Sequence, residues 1–447
     1  MSPLRFPRGV FLLLFPVLCS LSLAPALTIK LDYSLDKDGF FDNPARRAPI
    51  EEAARFLGDM IVDKMDAVDV DLFLDAPNPI NTFWEFSIFD PISGEKLKTT
   101  RNLKIPKDTI IVYVFGSKMG EGPTSPAGRG GTPGIGLFGL QPWFDHVTAR
   151  GQVGALSSDL TKRTDVSVKV GFCAINSQRK WNVDLNENKP GLELFSLAMH
   201  ELLHVLGIGT SQPWKNQLRN QTFTGPNATL AFGKAVPVDQ PNGQATHFRE
   251  DNACGRFGTT GYDPDNARNI LSRTVDTFGD DHGVRQISIM DPFFCDNGDH
   301  IPLVTALDVA ALQDIGYEVA LALNTFQPRD ANGQVKKSDP GTVGFGYYTL
   351  PTYNYVLESS GGFTGFDPME TRSGTGGPQE FSTPTSGGGK KFYRVRSVPK
   401  IAVQHTAPVP QPVSKSAAPK PRYHYIEEQA PKCSGGHCHH HDVRHAH

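Results

Sequence analysis

Leu194-Phe195-Ser196-Leu197-Ala198-Met199-His200-Glu201-Leu202-Leu203-His204-Val205-Leu206-Gly207 is the stretch on which the reading of this chain turns. Its residues favour a helix from about Glu193 to Leu206, and nearly all of them are apolar. Three are not. His200 and His204 stand at i and i+4, so both imidazoles lie on one helix face and can point at a single cation. Glu201 is their neighbour, placed to reach a water at that cation without being a ligand. Burying two histidines and a carboxylate among leucines is costly unless something partners them. Zn2+ suits two neutral imidazoles, and with a position left open it lowers the pKa of a bound water toward about 7. The bland alternative is a chance match to a five-residue motif with three fixed positions. The helical setting and the export signal described below both argue against chance.

Two histidines leave zinc a protein ligand short. Gly207, with Ile208-Gly209 after it, is expected to end the helix and turn the chain back toward the metal. Residues 200–207 resemble the metzincin signature, in which a Gly turn leads to a third His. Three residues past the glycine this chain has Thr210, so it departs from the compact form of that signature. It is similar instead to the leishmanolysin-like arrangement and to some bacterial secreted metzincins, where an insertion precedes the third His. His247, within Ala245-Thr246-His247-Phe248-Arg249-Glu250, fits that role best, with His282 and His300 as rivals. Ser288-Ile289-Met290-Asp291-Pro292 resembles the Met-turn, in which a methionine, here Met290, floors the metal site. Trp181-Asn182-Val183-Asp184 resembles the strand before the active helix. The resemblance covers roughly 27–319. It implies peptide-bond hydrolysis, with Glu201 as general base, one catalytic Zn2+, and protein or peptide substrates.

Outward from this segment the chain mixes strands and helices. Strands are expected at 28–35, 83–89, 109–115, 166–175 and 181–185. Helices are expected from Pro49 through 50–65 and over 305–315, the latter stopped by Gly316. Gly116–Gly139 is rich in Gly and Pro and reads as a long surface loop. Residues 212–288 read as long and irregular. The fold class expected is α+β with an α/β-like N-terminal half: a twisted mixed sheet, the active-site helix and an irregular C-terminal subdomain. Residues 27–325 form the expected catalytic domain. Residues 326–398 form a poorly defined extension, with strands suggested only about 347–357. Residues 399–447 form a Pro-rich linker and a Cys/His-rich tail.

Residues 1–26 read as an export signal. Arg5 and Arg8 precede the apolar run Val10–Leu23, and Ala24-Pro25-Ala26 offers small residues for cleavage. That run is shorter than the roughly 20 apolar residues a membrane span needs, and it contains Pro16. A mature product outside the cytoplasm follows, secreted or periplasmic, with no stable membrane insertion. The net charge of -3 gives no basis for a nucleic-acid partner. In an oxidising compartment Cys254 and Cys295 are the preferred disulfide pair, and Cys173, in an apolar strand, is expected as a buried thiol. Asp276, Asp280 and Asp281 could bind Ca2+, although a solvated loop explains them as well. Asn220 and Asn227 open glycosylation sequons. The tail, with Cys433, Cys438 and its His run, reads as a metal scavenger or as a solvated end. The rival to a protease is a non-enzymatic exported metal-binding protein. Glu201 separates the two, since a structural zinc site has no use for it.

Overall fold

The unbroken apolar run at Ile110–Phe115 shows how this fold is layered. In the computed structural model it lies within β4 (Thr109–Ser117), an interior strand of the sheet that carries the site. Successive side chains on a strand face opposite ways. Ile110, Val112 and Val114 accordingly join one buried cluster, and Ile111, Tyr113 and Phe115 join another. A strand covered on both faces needs apolar residues at every position, which is why no polar alternation marks it.

Described residues are 27–73, 82–122, 125–183, 192–239, 245–249, 288–290, 304–319, 325–326, 342–349, 352–360, 365–374, 378–384, 392–401, 422–426, 432–434 and 437–439. The expected signal, Cys254, Cys295, His282, His300, Asp276, Asp280 and Asp281 lie outside them.

The chain opens with β1 (Thr28–Asp32) and then α1 (Pro44–Met60). The helix starts five residues before the expected Pro49 and stops five before the expected Met65. The start is explained by Asn43-Pro44: the Asn43 side chain accepts from the Ala45 amide at 3.0 Å, and Pro44 takes the first helical position. Then come β2 (Phe83–Phe89) and β3 (Lys96–Arg101), followed by β4. The stretch read as a long loop instead contains β5 (Gly128–Gly131) and β6 (Ile135–Gly139). Next are α2 (Gln141–Ala149) and β7 (Val170–Asn176).

The central sheet has the order β1-β4-β7-β5. β1, β4 and β7 are parallel, and β5 is an antiparallel edge. α1 and the helix of the signature segment cover one face. A second, antiparallel sheet of β2, β3 and β6, together with Trp143 and Phe144 of α2, covers the other. The protein is therefore α+β, with a mixed sheet.

Beyond β7 come the short parallel pair β8 (Trp181–Asn182) and β9 (Leu192–Glu193), then α3 (Leu194–Val205) and α4 (Gln212–Asn216). The stretch expected to be irregular after 212 is built as far as 249. It holds β10 (Leu218–Arg219), β11 (Thr222–Phe223), α5 (Pro226–Phe232), β12 (Val236–Asp239) and β13 (His247–Phe248), with the four strands in one small sheet. α6 (Ala306–Asp314) ends against Gly316, which adopts φ 104°. Asp314 at its end accepts from the Asn227 and Ala228 amides at 2.8 and 2.7 Å, capping α5 from another helix. The Asn227 side chain also donates to Asp314 at 2.9 Å and is buried, whereas Asn220 is exposed.

The extension read as poorly defined contains strands wherever it is described. β14 (Thr325–Phe326), β15 (Thr342–Tyr348), β16 (Tyr353–Ser360), β17 (Asp367–Ser373), β18 (Pro378–Pro384) and β19 (Phe392–Pro399) form two three-stranded sheets, β14-β15-β18 and β17-β16-β19. Their cover is apolar: Tyr353, Tyr355, Leu357 and Phe381 belong to the same core cluster as α3 and α6. Within the stretch read as a linker, β20 (Arg422–Ile426) pairs antiparallel with β6. β21 (Lys432–Ser434) and β22 (His437–His439) pair as a hairpin, in which Cys433 and Cys438 share a register position. Among the described residues, no helix is long and apolar enough to cross a membrane.

Candidate metal centre

α3 is buried along its whole length. Such a helix must bring its own N-terminal cap. Glu193 provides it, accepting from the Ser196 amide at 2.6 Å and the Ser196 hydroxyl at 2.5 Å. Burial outweighs those hydrogen bonds and pushes the Glu193 carboxyl up to about 7.

The helix ends where the sequence places its turn. Gly207 adopts φ 109° and Gly209 φ 77°, backbone that other residues rarely tolerate. Gly209 has a second reason to be glycine, since a Cβ there would lie 2.1 Å from the Thr246 carbonyl oxygen. That close approach seats the segment carrying His247 against the helix end. Trp214 fixes the same segment by donating from its indole to the Ala245 carbonyl at 2.8 Å. Thr210, standing where the compact signature has its third His, donates to the His204 carbonyl at 2.8 Å. Its hydroxyl thereby closes the helix end.

His200, His204 and His247 thus meet. His247 Nε2 lies 3.2 Å from His200 Nε2 and 3.1 Å from His204 Nε2. Tetrahedral zinc with Zn–N near 2.0–2.1 Å spaces its nitrogens about 3.3 Å apart. The partners of the other ring nitrogens decide where the protons sit. His200 Nδ1 is 2.6 Å from the Ile289 carbonyl, and His204 Nδ1 is 2.9 Å from the Ile208 carbonyl. A carbonyl only accepts, so each Nδ1 carries the proton and each Nε2 presents a lone pair toward the shared point. His247 Nδ1 lies 2.8 Å from the Thr246 hydroxyl, which can play either role. Burial holds His200 down to about 3 and His204 to about 4, so both are neutral, the form that ligates. The three side chains lie close enough to bind one metal ion.

Glu201 occupies the seam between α3 and β5. The Gly130 amide donates to its carboxylate, and a Cβ on Gly128 would lie 2.8 Å from Oε1. A Cβ on Gly130 would lie 2.1 Å from the Glu201 backbone oxygen. Only glycine lets the edge strand sit this close to the helix. Burial raises the Glu201 carboxyl to about 8, against the opposing pull of Arg129 and the Gly130 amide. Its Oε2 is buried without a hydrogen-bond partner. That orphaned oxygen fits a site completed by a cation and its water.

Met290 is fully buried, and its carbonyl accepts from the Phe248 amide at 3.1 Å. The turn at 288–290 and β13 are therefore tied together. Sequence reading missed two parts of the site. One is β5, whose glycines looked like a loop. The other is Asp308 on α6, whose buried carboxylate accepts from the Ile289 amide at 3.1 Å and the Met290 amide at 3.3 Å. Thr305-Ala306-Leu307-Asp308 at the start of an apolar run is a capping-box pattern, the one signal that could have drawn attention to Asp308. Cys173 on β7 is a free, buried thiol that burial holds well above its ordinary pKa, so it is poorly nucleophilic.

No family model, no curated protein and no solved structure matches this chain.

Proposed function

We propose that this protein is a zinc-dependent endopeptidase of the metzincin type, in a leishmanolysin-like variant, that acts outside the cytoplasm. His200, His204 and His247 would be its protein ligands and Met290 the floor of its site. One observation carries the reading: three imidazole nitrogens converge on one another, and Glu201, next in sequence to His200, has a buried carboxylate with one oxygen left without a hydrogen-bond partner. A purely structural zinc site closes its coordination with protein groups and needs no such carboxylate.

The bound cation would supply Lewis acidity, polarising a carbonyl and acidifying a water. The chain's own groups do the rest. Glu201, with a carboxyl near neutrality, can take a proton from the attacking water at Oε2 and return it to the leaving amine nitrogen. The Gly130 amide and the Arg129 charge steady the ionised form that acts as base. β5 is the edge of the central sheet beside this carboxylate, and an extended peptide can add to a strand edge through main-chain hydrogen bonds. That favours unfolded or extended segments as substrates.

Casein and quenched-fluorescent peptide hydrolysis by the purified full chain tests the reading. Cleavage should stop on chelation and return with added zinc. Hydrolysis that is indifferent to a chelator would contradict it.

A further inference from the structure

Asp308 does more than cap a helix. A capping box needs its carboxylate only for the Thr305 amide, which it accepts at 2.7 Å. The same carboxylate also accepts from the Thr305 hydroxyl at 2.7 Å, from the Ile289 and Met290 amides, and from the Ser288 hydroxyl. Three of these five donors belong to residues 288–290, about twenty positions away along the chain. The group is fully buried, and so are Ser288 and Thr305.

The geometry continues to the metal centre. The peptide joining Ile289 to Met290 is one rigid plane. Its N–H end donates to Asp308 Oδ1 at 3.3 Å and to the Ser288 hydroxyl oxygen at 3.1 Å. Its carbonyl end accepts from His200 Nδ1 at 2.6 Å. A ligand histidine is oriented, and its tautomer fixed, by the partner of its other nitrogen. Here that partner is a carbonyl whose own position is held from behind by a carboxylate.

We infer that Asp308 is a positioning residue for the metal centre, setting the tautomer and ring orientation of His200 through the Ile289–Met290 peptide. This rests on the reading of the three histidines as a cation site. Asp314 supplies the control. It lies on the same helix, is part-buried, and also accepts backbone amides, but those amides belong to α5.

The test is zinc affinity of the full chain by competition with a chromophoric chelator, beside thermal melting, for Asp308→Asn, Ser288→Ala and Asp314→Asn. In Asp308→Asn the new amide faces N–H donors that it cannot accept from. Its zinc dissociation constant should rise about ten- to a hundred-fold, the usual cost of losing an outer-sphere partner. Ser288→Ala should move the same way by less, and it decides the matter if Asp308→Asn does not fold. Asp314→Asn should melt lower with its zinc constant unchanged. An unchanged constant in a folded Asp308→Asn, or in Ser288→Ala, would show that the carboxylate serves the scaffold alone. Wild-type chain that holds no zinc would overturn the cation reading itself, a different result from wild-type binding that the variants leave untouched.

Discussion

Two buried polar constellations in this molecule behave in opposite ways. Arg150, at the end of α2, is fully buried. Its guanidinium donates to the carbonyls of Asp66 at 2.9 Å, Val168 at 2.6 Å and Thr109 at 2.9 Å, with Pro106 at 3.4 Å. Burial lowers its pKa only to about 10, so it stays charged, and its fork is spent on main chain that enters β4 and β7. The histidine group is spent differently. The outer nitrogens of His200 and His204 are satisfied by carbonyls and that of His247 lies against the Thr246 hydroxyl, while the inner lone pairs face one another and one Glu201 carboxylate oxygen has no hydrogen-bond partner. A buried polar group with every valence answered is architecture. A group whose open valences point at one place is suited to hold a ligand.

Substitutions should divide along that line. The largest effect is expected from Glu201→Gln. Peptidase kcat/KM should fall by about a hundred- to ten-thousand-fold, the range for a general base, with zinc content and melting temperature close to wild type. Full activity in this variant would remove Glu201 from the chemistry. Gly130→Ala should come next, because its Cβ would meet the Glu201 backbone oxygen and push β5 from the helix. A ten-fold or larger loss of activity is expected, with about 1–3 kcal/mol of stability lost to overpacking. Wild-type turnover there would mean that β5 plays no part.

Arg150→Met should do the converse. Stranding several carbonyls should cost roughly 3 kcal/mol or more and lower the melting temperature by about 10 °C. Zinc bound per folded molecule should not change, and a selective loss of metal would blur the distinction drawn above. The smallest effect concerns acid. His200 and His204 are held below their ordinary value when folded. The unfolded chain therefore binds more protons as pH falls below about 6.5, and stability drops from there toward the folded values. Metal-free protein should show this limb in its melting temperature between about pH 6.5 and 4, and the double variant His200→Ala/His204→Ala should flatten it. An identical limb in both would assign the loss to other groups.

How much of this was legible in the sequence depends on what fixes each part. The placement of His200 and His204 on one face follows from helical period alone, so spacing sufficed. β4 was readable because burial on both faces demands an unbroken apolar run. β5 was not, because Gly128-Arg129-Gly130-Gly131 has no strand propensity of its own. Its pairing with β7 and its contact with α3 impose the strand, and both are tertiary. Pro49 looked like a helix start, yet Asn43-Pro44 offers both a cap and a first-turn proline, and it prevailed. His247 could be favoured over His282 and His300 only by chain order and flanking residues. What brings it to the site is the space left by Gly209, a contact between segments that no local pattern encodes. Strands were suggested about 347–357, where β16 begins with Tyr353, Tyr355 and Leu357, but β17 and β18 hid in the Gly/Ser/Thr-rich stretch that follows, where Phe381 is a buried anchor.

Zinc analysis of the dialysed full chain and of its His247→Ala variant is the shortest route to a decision. With three imidazoles as the grip, the wild-type chain should keep about one zinc more than the variant, which is left with two ligands from one helix, whatever the His-rich tail holds in both. Equal zinc in both would mean that the converging rings do not hold a cation together.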